Sequence, residues 1–250
     1  MSALAAFNFL LIAASLGLLV QRRRDLGRLR AFVHDVRPAP SSQRERALDL
    51  ARRCYLIPAI RPDASFCPRL FGPLGATPSA VLRFGDCCSG RSRLLILGLH
   101  EFGIRAYQIT LYHSAGHAQH CLVEACVDDQ PIILDPSYGV YYEGPNGEPI
   151  GLRDLQAGTP PTFVPLVSDR PCGYPSHRYY DFDFRASKTA NWTKSNLRRI
   201  TYRLLLKLTN GGVDRLQVPV LLEWPQHLFV VSAALGALAV NGAAILLARL

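Results

Sequence analysis

The longest unbroken apolar runs lie near the two ends of the chain. Ala3 to Val20 is apolar except for Asn8 and Ser15, and about twenty such residues are what a helix needs to cross a bilayer. Leu228 to Ala248 holds a single Asn and no charge, with Trp224 just ahead of it, the place of an interfacial aromatic. Both runs predict transmembrane helices, over 3–20 and 228–248.

Between them the period shortens and varies. Gln43 to Leu56 predicts a helix with Ala47, Leu48, Ala51 and Tyr55 along one side and arginines elsewhere. Prolines and glycines from Pro58 to Pro78 forbid a long regular element, although Phe66, Leu70, Phe71 and Leu74 suit a packed loop lining a site, with Cys54 and Cys67 as small buried hydrophobes. Thr77-Pro78-Ser79 then reads as a helix start, Thr77 capping and Pro78 at the first helical position. From Ser89 to Phe102 the apolar positions 94, 95, 97, 99 and 102 fit a helix, and Gly103 follows as its terminating residue. Ile104 to Tyr112, Cys121 to Val127 and Ile132 to Asp135 alternate as strands, the last two joined at Asp128-Asp129. A turn at 143–147 and an element from Ile150 to Leu155 come next. Tyr179, Tyr180, Phe182 and Phe184 are candidates for an aromatic wall over a cleft. Leu197 to Leu208 sets Arg198, Arg199, Arg203 and Lys207 among leucines, a basic amphipathic helix suited either to an anionic leaflet or to packing on the domain.

Charge changes the picture at the first span. The formal balance is +9, but the arginines sit beside apolar runs, which favours a membrane surface as partner and not nucleic acid. Arg22, Arg23, Arg24, Arg28 and Arg30 follow the first apolar run, whereas a cleavable signal peptide carries its basic residues before it. They predict a basic juxtamembrane linker over 21–43. They also place the intervening domain on the cytoplasmic face of a two-pass protein, with both termini outside. The domain spans 44–210 with its core at 77–142, and a connector over 211–227 leads to the second span.

Seven cysteines without a regular framework or a C-x-x-C pair predict reduced thiols and no structural zinc. Cys87, Cys88, His117, His120 and Cys121 can be drawn together as a metal site, yet strand alternation sends His120 and Cys121 to opposite faces. No metal or other cofactor is expected.

The candidate chemistry is nucleophilic. Cys88 begins a helix, where unpaired N–H groups and the dipole favour thiolate over thiol. With a two-residue turn at Asp128-Asp129, Val127 pairs with Gln130 and Asp135 falls opposite Leu122, diagonal to His120 on one face. Asp135 is then placed to orient His120, and His120 to exchange a proton with Cys88.

These residues resemble the core of the transglutaminase-like superfamily in its bacterial membrane-anchored form. Asp86-Cys87-Cys88-Ser89 corresponds to the family's cysteine start, Ser92-Arg93-Leu94-Leu95 with Gly103-Ile104 to its helix and helix end, His120-Cys121-Leu122-Val123-Glu124 to its histidine strand, and Leu134-Asp135-Pro136-Ser137-Tyr138-Gly139 to its aspartate. The resemblance covers about 60 residues, Gly85 to Tyr142. The fifteen-residue step from Cys88 to Gly103 fits the family spacing, Cys87 stands one residue out of step, and Leu122 stands where many relatives carry an aromatic. It implies an α+β fold, with the cysteine helix packed on an antiparallel sheet that bears the histidine and aspartate. It also implies a papain-type triad of Cys88, His120 and Asp135, and attack on an amide or peptide carbonyl of a protein or peptide substrate through a thioester. Transamidation, deamidation and hydrolysis all follow from such a thioester. A non-catalytic membrane scaffold of the same fold, in an envelope or polysaccharide assembly system, is the competing expectation, and a bacterial inner membrane the expected location.

Overall fold

The computed structural model describes residues 3–35, 42–58, 76–167, 182–193 and 196–247. Its helices are α1 (Ala3–His34), α2 (Gln43–Leu56), α3 (Pro78–Phe84), α4 (Cys88–Glu101), α5 (Leu152–Ala157), α6 (Asn196–Leu208) and α7 (Pro225–Leu247). The strands are β1 (Arg105–His113), β2 (Ala118–Val127), β3 (Gln130–Asp135), β4 (Val140–Glu143), β5 (Thr162–Pro165) and β6 (Phe182–Lys188). The fold is α+β: these six form one antiparallel sheet in the order β5-β4-β3-β2-β1-β6.

Local signals explain why the elements start and stop where they do. Ser42 and Glu45 form a capping box on α2, and Thr77 accepts from the Ala80 N–H ahead of Pro78 on α3. Gly103, at φ 74°, takes the left-handed conformation that lets the chain leave α4 and enter β1 without a Cβ clash. Asp128 and Asp129 have φ 49° and 60°, the two positive values of a type I′ hairpin turn. They fix the register Val127↔Gln130 through Val123↔Leu134.

Strand alternation divides the interior into two clusters. Val123, Ala125, Ile132 and Leu134 join Leu94, Leu95 and Leu99 of α4 and Ala47, Leu50 and Cys54 of α2 in the larger cluster. Ile109, Leu111, Leu122, Ile133, Val140 and Tyr142 form the other with Leu152 and Leu155 of α5 and with β6. Glu124 enters the second side as a buried carboxylate, 9% exposed. It accepts hydrogen bonds from the Tyr107 hydroxyl and from the Leu152 N–H at the start of α5, so the acid of the His-x-x-x-Glu run is a structural pin between β2 and α5. Glu124→Ala leaves the α5 N–H unpaired in the interior. The expected cost is about 2 kcal/mol, read as a lower midpoint in chemical denaturation with unchanged secondary structure.

Two terminal helices, α1 and α7, are long and apolar enough to span a membrane. The exposed leucine, isoleucine and phenylalanine side chains concentrate on them, including Phe9, Leu10, Ile12, Leu235, Leu238 and Leu246. They pack side by side. Asn8 and Asn241 exchange side-chain hydrogen bonds at 3.1 and 3.2 Å, and Gln226 donates to the buried Asp25. Pairing residue 8 with 241 and 25 with 226 makes the two helices an antiparallel hairpin.

The sequence expectation of a linker over 21–43 is corrected between Gln21 and His34, where α1 continues as helix. Leu29 and Val33 are fully buried against the domain and Leu26 partly so, so an apolar stripe persists beneath the arginines. The connector over 211–227 is likewise folded on the domain. It forms 3-10 turns at 212–215 and 220–223, buries Val213 and Trp224, and pairs Glu223 with Arg93 at 3.3 Å. Of the residues expected in the linker and loops, Pro38, Pro40, Phe66, Cys67, Leu70, Phe71, Leu74, Tyr179 and Tyr180 lie outside the described residues.

Candidate active site

The site forms where the N-terminus of α4 meets the end of the β2–β3 hairpin. Cys87 is the N-cap residue of α4 and Cys88 its first helical residue, so the Cys88 sulfur stands at the positive end of the helix, in the first turn whose N–H groups have no intrahelical acceptor. The helix is held against the strand carrying the histidine by the Ser92 hydroxyl, which donates to the Cys121 carbonyl at 3.0 Å. Arg91, 7% exposed, ties the same turn to the end of α2 by donating to the Ile57 carbonyl at 2.7 Å.

His120 and Asp135 meet as the hairpin register requires. His120 Nε2 lies 2.8 Å from Asp135 Oδ2, with the histidine 6% exposed and the aspartate fully buried. The other carboxylate oxygen, Oδ1, accepts the N–H groups of Ser137 and Tyr138 at 2.9 and 3.0 Å. This Asx-type turn fixes the carboxylate before it meets the imidazole. Gly139 closes the turn at φ 70°, and a Cβ there would stand 2.8 Å from the Tyr55 ring.

The electrostatics make one ion pair of this cluster. Burial by itself pulls the His120 imidazole down. The charge and hydrogen bond of Asp135, and then the hydrogen bond and charge of Cys88, more than reverse that and push it up to about 10. Cys88 is therefore the thiol that touches His120. Cys87 is not equivalent to it: hydrogen bonding with Cys88 first, and desolvation of its sulfur second, push the Cys87 thiol up to about 12, and its sulfur lies 3.3 Å from the Ser89 hydroxyl. Asp86, desolvated and beside Cys87, is raised to about 6 while its Oδ1 accepts the Cys87 N–H at 2.6 Å.

All three residues singled out from the sequence, Cys88, His120 and Asp135, come together. No family model, curated protein or solved structure matches the chain. Among the described residues no group of three or more His, Cys, Asp or Glu side chains is arranged to hold a metal ion, and the described cysteines, Cys54, Cys87, Cys88, Cys121 and Cys126, are free thiols.

Two aromatic residues join the site: Tyr138, which carried no role of its own in the sequence reading, and Phe182, which the sequence offered only as part of an aromatic wall over a cleft. The Tyr138 ring packs 4.7 Å from the imidazole and Phe182 stacks on it at 6.1 Å, between centroids. They shield the His120–Asp135 pair from water. Tyr138 stood next to the aspartate in sequence, so its nearness was readable. Phe182 comes from β6, whose pairing with β1 is interrupted by a register shift between Thr110 and Tyr112, and no local pattern announces that.

Proposed function

We propose that the chain is a membrane-anchored cysteine enzyme of transglutaminase-like type, with Cys88 as nucleophile, His120 as general base and then acid, and Asp135 as the group that orients the histidine. The observation that carries this reading is the buried 2.8 Å His120–Asp135 contact with the helix-terminal Cys88 on the same imidazole. A scaffold would have no use for a buried imidazole joined to both a carboxylate and a thiol.

Asp135 accepts a hydrogen bond from Nε2–H and so leaves Nδ1 as the basic nitrogen; the proton of Cys88 passes to it and a thiolate–imidazolium pair results. The thiolate attacks an amide carbonyl, and the N–H groups of the first turn of α4 face the developing oxyanion. Imidazolium returns its proton to the departing amine, which leaves a thioester on Cys88. His120 then takes a proton from an incoming amine or water as that acceptor attacks, and the thiolate is released. Amide or peptide carbonyls of a protein substrate are the acyl donors. The two apolar helices support anchoring in a bilayer, and the arginines after Val20 favour the cytoplasmic side for the domain, with a bacterial inner membrane as the proposed location.

The test is mass spectrometry of the detergent-purified full chain after a limiting dose of iodoacetamide at pH 6. Label confined to Cys88 is the expected result. Label spread over the exposed thiols, Cys87 included, would remove the enzyme reading.

A further inference from the structure

Beside the catalytic helix lies a second polar feature that the proposed reaction does not use. Where α1 emerges from its apolar run, a cleft of about 450 Å³ opens between α1 and α3, lined by Arg24 and Arg28 from α1 and by Arg83, Ser79 and Thr77 from the α3 side. Arg24 and Arg28 are one turn apart and so share a face of the helix. Neither they nor Arg83 is in an ion pair among the described residues. Asp25, the carboxylate lining the cleft, is 3% exposed and accepts from Gln226. The cleft therefore presents three guanidinium groups against one carboxylate that is already engaged.

A second observation points to a missing acceptor. Ser79 is 9% exposed, lines the cleft, and its hydroxyl has no hydrogen-bond partner. A buried hydroxyl with no partner is destabilising unless a ligand completes it, and an oxygen anion completes both the serine and the arginines. Planar guanidinium forks are the side chains best matched to phosphate oxygens.

Depth decides the source of that phosphate. Arg24 lies four residues past Val20, about 6 Å along the helix axis, which is the thickness of the headgroup layer outside the hydrocarbon.

We propose that the α1–α3 cleft binds the phosphate of an anionic phospholipid, with Arg24, Arg28 and Arg83 as charge partners and Ser79 as hydroxyl donor. Because α3 runs directly through Gly85 to Cys87 and Cys88, a bound headgroup seats the nucleophile at the bilayer surface and selects acyl donors presented there. Lipid binding in the cleft rests on α1 being a membrane span and is independent of the triad, whereas the placing of acyl donors rests on the proposed function.

Native mass spectrometry of the detergent-solubilised full chain, titrated with phosphatidylglycerol, reads the site directly. The wild type and Cys88→Ala are expected to retain the lipid alike, R24Q/R28Q/R83Q to lose retention by about tenfold or more, and Ser79→Ala to lose it partially. R199Q/R203Q/K207Q on α6, which removes the same charge elsewhere, is expected to retain it. Equal retention by the cleft variant, or equal loss in the α6 variant, would overturn the site. Displacement of the lipid by equimolar glycerol 1-phosphate would assign the cleft to soluble phosphate esters and overturn the lipid assignment. A circular dichroism melt confirms that the variants are folded. Alkaline carbonate extraction tests the span separately from the triad, which the iodoacetamide experiment reads.

Discussion

His120→Ala is expected to slow alkylation of Cys88 at pH 6 by about two orders of magnitude. An ordinary thiol with a pKa of about 8.5 is roughly 0.3% ionised at that pH, and the thiolate is the reacting form. In the wild type, against the pull of burial, it is chiefly the charge and hydrogen bond of Asp135 that let the imidazole hold its proton up to about 10, so the proposed mechanism has an imidazolium on hand to stabilise a thiolate at pH 6. Removing the imidazole leaves the helix terminus as the remaining support for the thiolate, and a helix end is worth at most about 2 kcal/mol in partly buried geometry. Iodoacetamide rates across pH 5 to 9, read at Cys88 by peptide mapping, check this. Matching profiles for the two proteins would show that His120 does not activate the thiol. Cys87→Ala is expected to leave the Cys88 profile intact, since Cys87 is the member of the pair kept protonated.

The raised imidazole also has a sign for stability. A folded-state pKa above the unfolded value of 6.5 means that the folded protein binds the proton more tightly. The contribution of His120 to stability is therefore fully present below about 6.5 and declines as pH rises through about 10. Its side chain is almost wholly buried, so solvent screening removes little of that contribution. Denaturation midpoints taken between pH 6 and 10 should fall for the wild type more than for His120→Ala.

Much of the site was legible because it is built from local rules. The Asp128-Asp129 turn fixes a register, and the register alone brings Asp135 diagonal to His120. The start of α3 follows from Thr77 and Pro78 and the end of α4 from Gly103, while Cys88 opens α4 behind an N-cap, Cys87, that makes no side-chain capping bond. What escaped is held by partners distant in sequence. Asn8 meets Asn241 and Asp25 meets Gln226 across more than 200 residues, and nothing in either apolar run reveals its partner. The arginines after Val20 masked the continuation of α1, since a basic stretch past a span reads as juxtamembrane. Yet Leu26, Leu29 and Val33 repeat at helical spacing and bury against the domain. Arginine and leucine are both good helix formers, so propensity pointed the same way.

Asp135→Asn is expected to lower turnover by about 10³–10⁴-fold, the scale known for removing the orienting carboxylate of a nucleophile–histidine triad. Three contacts converge on this fully buried group: the Ser137 and Tyr138 N–H groups on Oδ1 and His120 Nε2 on Oδ2. Asparagine keeps an acceptor for the turn, so the loop after β3 survives. What changes is the other atom, where an amide nitrogen replaces an acceptor and faces the imidazole as a donor. His120 then loses the negative charge that outweighs its burial, and desolvation, the largest influence on it, acts with less opposition. The imidazole falls from about 10 toward or below its ordinary 6.5, and the tautomer that leaves Nδ1 as the base is no longer selected. Alkylation of Cys88 at pH 6 should slow with it, since less imidazolium is present to support the thiolate, and the denaturation midpoint should lose most of its dependence on pH between 6 and 10. Alkylation and pH-dependence like the wild type's in Asp135→Asn would mean that another group holds His120.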